Sequence, residues 1–103
     1  MTIIQGNTYN LPILLKIDGN QITDKDVKQI EFSFDDIKKY YPKDVEFNGS
    51  YFIVPLTQVD TFSLPTKRFP KYQARVLFND NQCKGTNPTE FTVVPSESKE
   101  VLK

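Results

Sequence analysis

Few residues in this chain are equipped for chemistry, and their spacing limits what they can do. Asp35 and Asp36 are a carboxylate pair of the kind that acid–base hydrolysis uses, but they are adjacent. In an extended chain neighbouring side chains point to opposite faces, so the pair diverges and a turn is the better account. Asp18, Asn20, Asp24 and Asp26 gather oxygen donors in one loop, a set that calcium favours. Ile22 falls at a ligand position of the EF-hand pattern, so turn formation and capping explain these residues without a metal. Cys83 has no base close to it in sequence and reads as a small, partly buried residue rather than a nucleophile. Lys67, Arg68 and Lys71 flank Phe69, and bases stack on aromatics interleaved with basic residues. Asn48-Gly49-Ser50 fits a glycosylation acceptor, but its place in a hairpin turn explains it fully.

Composition narrows the options further. The chain has no histidine, which removes the side chain that most often moves protons near neutral pH. Serine and cysteine triads and histidine-based metal sites go with it, so an enzyme is disfavoured and no cofactor or metal is expected. Thirteen basic and thirteen acidic residues cancel, leaving no net field to draw the protein to nucleic acid or to an anionic membrane. The basic loop around Phe69 therefore reads as solvated. A single cysteine excludes an intramolecular disulfide and fits folding in a reducing cytosol. The N-terminus lacks the basic start and long apolar run of a signal peptide. The longest apolar stretch, Leu11 to Leu15, contains Pro12 and is too short to span a bilayer. At 103 residues there is room for one domain, expected over residues 1–95, with a polar tail over 96–103 that ends in a short helix or frays.

The elements that must position these residues follow from alternation and turns. Leu11, Ile13, Leu15 and Ile17 recur with period two, a half-buried strand whose Pro12 places it at a sheet edge or bulge. Asp18-Gly19-Asn20 is a tight turn. Ile30, Phe32 and Phe34 face inward on the next strand, and Asp35-Asp36 breaks it. Lys38-Lys39 suits a solvated edge strand that Pro42 ends. Asn48-Gly49 joins Val45–Phe47 to Tyr51–Leu56 as a hairpin. Tyr72, Ala74, Val76 and Phe78 share one face of another strand, and Phe91 to Val94 form the last. Two phrases, Ile22-Thr23-Asp24-Lys25-Asp26 and Leu56-Thr57-Gln58-Val59-Asp60, both read apolar-Thr-x-x-Asp. Each resembles a capping box and predicts one turn of helix at a corner. Seven or eight short strands joined this way predict an all-β sandwich or a small barrel, and the resemblances that follow imply an immunoglobulin-like antiparallel sandwich.

Two resemblances sharpen this expectation. Leu56 to Asp60 followed by Tyr72-Gln73-Ala74-Arg75-Val76 resembles the corner between the fifth and sixth strands of an immunoglobulin-type sandwich, with Ala74 at the cysteine position. Eleven residues separate Asp60 from Tyr72, where that corner uses about three, so a tyrosine corner is not expected. A second resemblance spans nearly the whole chain. Gly6 to Ile13, Asp18 to Val27, Ile30 to Phe34, Val54 to Thr61 and Tyr72 to Val76 occur in an order similar to small phage and prophage proteins of Gram-positive bacteria. Those proteins are similar to the immunoglobulin-like N-terminal domain of baseplate upper proteins.

That resemblance implies a non-enzymatic structural or adaptor component of a phage particle at the tail or baseplate. Its partners would be other phage structural proteins or further copies of itself, and it would be made in the bacterial cytoplasm and end in the virion. Leu14, Tyr51, Ile53, Leu77 and Val94 face away from the core rows and would mark a contact if they cluster. Leu14, Tyr51, Ile53, Arg75 and Leu77 are the binding candidates, with Arg75 on an interface rim. The alternative is a carbohydrate-binding sandwich that uses Tyr40, Tyr41 and Tyr51 as stacking platforms, weakened by the absence of tryptophan.

Overall fold

A computed structural model describes all of residues 1–103, and it is an all-β sandwich with one short helix. The strands are β1 (Thr2–Ile4), β2 (Tyr9–Ile13), β3 (Lys16–Ile17), β4 (Asn20–Gln21), β5 (Val27–Phe34), β6 (Ile37–Tyr41), β7 (Glu46–Phe47) and β8 (Phe52–Leu56). Helix α1 (Gln58–Phe62) precedes β9 (Lys71–Phe78), β10 (Cys83–Gly85), β11 (Thr89–Glu90) and β12 (Thr92–Val94). One sheet runs β10-β9-β5-β6, with β11 also on β9, and the other runs β2-β8-β7. Strand β1 pairs in parallel with β12, and β3 and β4 form a separate hairpin. There are more strands than the expected seven or eight, because the small β3–β4 hairpin is inserted and the last strand is broken into pieces.

The long strands follow their alternation. Ile30, Phe32 and Phe34 of β5 lie beside Val76, Ala74 and Tyr72 of β9, and all but the half-buried Tyr72 are buried. Across the sandwich Phe52, Val54 and Leu56 of β8 are buried too. Phe52 joins the sheets: its ring lies 5.9 Å from Phe32, 5.2 Å from Tyr41 and 4.7 Å from Phe47. The tilted and edge-on angles are those that aromatic quadrupoles favour. Phe34 closes the far end against Phe91 at 6.0 Å. Tyr72 stacks on Phe34 at 6.0 Å rather than anchoring a corner, in line with the expected absence of a tyrosine corner.

Prolines and turns set the register. Asn10 faces Pro55 and Pro12 faces Ile53 in the β2–β8 pair. A proline has no N–H, so these are the non-hydrogen-bonded pairs, and Tyr9, Leu11 and Ile13 make the ladder. Pro12 therefore turns its missing donor to the open edge of β2, as expected for an edge strand. Asp18 and Gly19 both have positive φ (53° and 81°) between β3 and β4, a primed hairpin turn. Asp35-Asp36 is likewise a hairpin turn, closing β5 onto β6. The Asn48 hairpin is wider than an Asn-Gly turn: Phe47 pairs with Phe52 across a loop of Asn48 to Tyr51. The Asn48 side chain accepts from the Ser50 and Tyr51 amides (3.0 and 2.8 Å) and builds that loop itself.

The two Thr-x-x-Asp phrases fold differently. Thr57 caps α1 with a full capping box: its hydroxyl accepts from the Asp60 amide (3.1 Å), and Asp60 accepts from the Thr57 amide (2.8 Å). The helical turn expected at Thr23 does not form. There the Asp26 amide donates to the Thr23 carbonyl (3.2 Å), and the Thr23 hydroxyl donates to the Asp26 carboxylate (3.2 Å). Val27 begins β5 and is buried at once, so no residue remains to extend a helix. After Thr57 the next residues are held as helix by tertiary bonds. The buried Thr61 hydroxyl accepts from the Gly6 amide and donates to the Asn7 carbonyl, both at 2.9 Å. Gly6 has φ 85°, and a Cβ there would meet the Phe62 ring at 2.8 Å, so only glycine fits. The tail over 96–103 forms no helix. Its end is tied to α1, where the Gln58 side chain donates to the Leu102 carbonyl and accepts from the Leu102 amide, both at 2.9 Å.

Asp60 also receives Lys39 at 2.9 Å. Lys39 lies opposite buried Phe32 and is an inward-pointing charge on an edge strand, so only Lys38 of the pair is solvated as expected. Burial pushes the Asp60 carboxyl up, but the Thr57 amide and the Lys39 ammonium together outweigh it and hold the group below its ordinary value of 3.8. Its charge therefore stabilises the fold above that value and ceases to as pH falls through the lowered one. Asp60→Asn is expected to cost about 1 kcal/mol at neutral pH. The gap to the parent in urea midpoint should close under acid conditions, and a constant gap across pH would contradict the assignment. Phe52→Ala is expected to cost about 3–5 kcal/mol in the same assay.

Candidate functional site

The five binding candidates do not form one patch. Arg75 and Leu77 project from β9 on the outer face of its sheet, beside Gln29, Glu31, Tyr40 and Cys83. The Arg75 guanidinium lies 3.7 Å from the Cys83 sulfur, and Tyr40 donates to Glu31 at 3.2 Å. Ile53 projects from the outer face of the other sheet, in a hollow with Asn10, Asp44, Glu46 and Pro55. The inner faces of both sheets form the core, so Ile53 and the Arg75–Leu77 pair point in opposite directions. Tyr51 sits in the Asn48 loop rather than in a strand. Leu14 stands alone between β2 and β3. The strand expected through Leu11 to Ile17 is interrupted at Leu14 and Leu15, and alternation does not say which sheet a strand joins.

The tyrosine platform fails for a related reason. Tyr40 and Tyr41 are neighbours on β6 and point to opposite faces. Tyr40 lies on the outer face and Tyr41 packs against Phe52 in the core. Cys83 is exposed, not partly buried as its type implied. No three His, Cys, Asp or Glu side chains come together in an arrangement able to hold a metal ion.

Leu14 does mark a feature that sequence reasoning missed. It lies at 45% exposure on the rim of a hollow of about 260 Å³ between the two sheets. Ile13 and Leu14 form one wall, Phe32, Phe34 and Ala74 the floor, and Thr86, Asn87 and Thr89 the other wall. The hollow exists because the last strand peels away from β9. Gly85 pairs with Arg75 but Thr89 pairs with Tyr72, one residue too many on the outer strand. The Ala74 amide then donates to the Thr86 hydroxyl (3.1 Å) instead of a carbonyl, and the Gln73 side chain takes the Thr86 carbonyl (2.9 Å). Gly85 to Pro88, an interruption in the alternation, was the sequence signal for this break.

A second depression, about 510 Å³ and wide open, lies at one end of the sandwich. Asn20, Gln21 and Lys25 line one side, and Asn79, Asp80, Gln82 and Lys84 the other. The Asn79 side chain ties the two sides by donating to the Lys25 carbonyl at 2.7 Å. Lys84 reaches Asp18 at 3.0 Å. The lining is polar, with amides suited to hydroxyl-rich ligands.

No known family model matches the chain, and no curated protein matches it. The sites therefore rest on their own geometry. If the hollow is a surface feature over an intact core, its rim and floor differ in energetic weight. Leu14→Ser is expected to cost under about 1 kcal/mol, and Phe34→Ala about 3–5 kcal/mol, in chemical denaturation. Comparable losses at both positions would mean that Leu14 belongs to the core.

Proposed function

We propose that this domain is a non-enzymatic adaptor of a phage particle, placed at the tail or baseplate, that works by binding neighbouring proteins. The observation that carries the binding role is the apolar hollow between the sheets, with half-exposed Leu14 on its rim and core rings on its floor. An apolar hollow of this size is enough to seat one side chain of a partner protein. The phage setting rests on the order of phrases from Gly6 to Val76 that resembles the baseplate upper proteins. The strand order supports the same resemblance: β7-β8-β2 against β6-β5-β9-β10, with α1 at the corner between β8 and β9, follows an immunoglobulin-type plan.

A second reading, a glycan-binding sandwich, is favoured by the open polar depression between Asn20 and Gln82. It does not use the tyrosines. Titration with a panel of soluble glycans, followed by amide chemical shifts, separates the readings: saturable shifts confined to residues 20–25 and 79–84 would favour it over the adaptor.

The adaptor reading is tested by mass spectrometry of purified particles from the source phage, with copy number taken against the major tail protein. The expected result is a fixed stoichiometry, a multiple of three or six. Abundance in the lysate with absence from particles would overturn the virion assignment.

A further inference from the structure

Four strand edges border this sandwich, and the chain treats them differently. The β2 edge carries Pro12, which offers no donor. On β6, Tyr40 turns its main chain outward, and both groups are taken. Asp44 accepts the Tyr40 N–H at 3.0 Å, and the Asp44 and Val45 amides donate to its carbonyl. The β7 edge is two residues long. These are the ordinary protections against strand addition.

The β10 edge is less protected: it is three residues long and carries one charge, Lys84, already paired with Asp18, but its outward main-chain groups have no partner. The Phe78 amide donates to the Gln82 carbonyl (2.8 Å) and the Thr86 amide to the Ala74 carbonyl (2.9 Å). Gln82, Lys84 and Thr86 thus face β9, and Cys83 and Gly85 turn their N–H and C=O groups outward. All three residues of β10 are exposed, and Gly85 has no side chain to shield the edge. Just beyond Gly85, Thr86 and Asn87 form a wall of the apolar hollow. A free edge and an apolar seat therefore lie next to each other, between β10 and β2.

We propose that this edge receives an extended segment of a partner protein by strand addition. The proposal rests on the adaptor reading and names its mode of binding. The segment's main chain pairs with Cys83 and Gly85, and one aliphatic side chain enters the mouth of the hollow between Thr86 and Leu14. Charge selects the rest of the sequence. Lys16 is exposed on the rim and joins no ion pair, whereas Lys84 is neutralised by Asp18. The partner segment accordingly carries a carboxylate two positions from its aliphatic anchor, on the same face of the strand. Main-chain pairing supplies affinity and the alternate pocket supplies selectivity, as in other strand-addition complexes.

The probe is the peptide acetyl-TDTLTDT-amide, titrated into the full-length chain labelled for NMR. The expected result is saturable amide shifts centred on Cys83 to Asn87, with cross-strand contacts from peptide amides to Cys83 and Gly85. Leu14→Glu should weaken binding, and the lysine peptide acetyl-TKTLTKT-amide should bind roughly tenfold more weakly. Shifts centred instead on the outer face at Arg75 and Leu77, no saturation at millimolar peptide, or equal binding of both peptides would overturn the proposal. Concentration-dependent pairing of β10 with β10 in the free protein would assign the edge to a second copy and overturn it too. Particle mass spectrometry is independent of these outcomes. A chain found in particles that ignores the peptide fails this inference alone, and a chain absent from particles that binds it fails only the virion assignment.

Discussion

The contact between Phe52 and the opposite sheet is the constraint on which the rest depends. A sandwich of this size must hold two sheets face to face, and this chain has neither a disulfide to do it nor a tryptophan to fill the gap. Ala74 lies beside Phe32 on the neighbouring strand. Phe32, Phe52, Tyr41 and Phe47 fill the centre of the sandwich in tilted and edge-on contacts. Because Phe52 belongs to β8 and its partners include β5, β6 and β7, one ring sets the distance between the sheets.

The aromatic centre leaves the flanks open, and charge closes them. On one flank Lys39 of β6 reaches Asp60 of α1, and on the other Lys84 of β10 reaches Asp18 of the β3–β4 turn. The Lys84 pair is exposed and contributes little stability, whereas the Lys39 pair is largely shielded from water. Their effect is on which associations are allowed, since an inward-pointing charge at a sheet edge cannot be buried under another strand without cost. The Lys39 pair is reinforced because Asp60 already serves the helix cap. The Lys84 pair covers only part of its flank, and the broken last strand leaves the hollow beside it uncovered.

Much of the fold was legible because strand alternation and turn chemistry are local. The inward rows on β5 and β9, the edge position of Pro12, the primed turn at Asp18-Gly19 and the capping box at Thr57 all follow from neighbours in sequence. Thr23 shows the limit. Its phrase is the same as that at Thr57, yet it forms a simple turn, because Val27 is drawn into the core while Thr61 is held by Gly6 and Asn7. Of the candidate site, Leu14 was legible as an outward-facing apolar residue, although it lies between strands rather than on one. Ile53 and Leu77 were equally legible, but they stand on opposite outer faces.

By itself the amino-acid sequence determined the fold class, the faces of the long strands and the tight turns, and it removed histidine chemistry and disulfides. Those properties depend on residue type and on spacing of a few positions. Tertiary structure alone decided which strands share a sheet, which edge stays open and where the core comes to the surface. Those outcomes depend on the register between segments far apart in the chain, such as Ala74 with Thr86 and Gly6 with Thr61. One extra residue between Gly85 and Thr89 shifts that register, and the local interruption at Gly85 to Pro88 marks the place without saying what the shift uncovers.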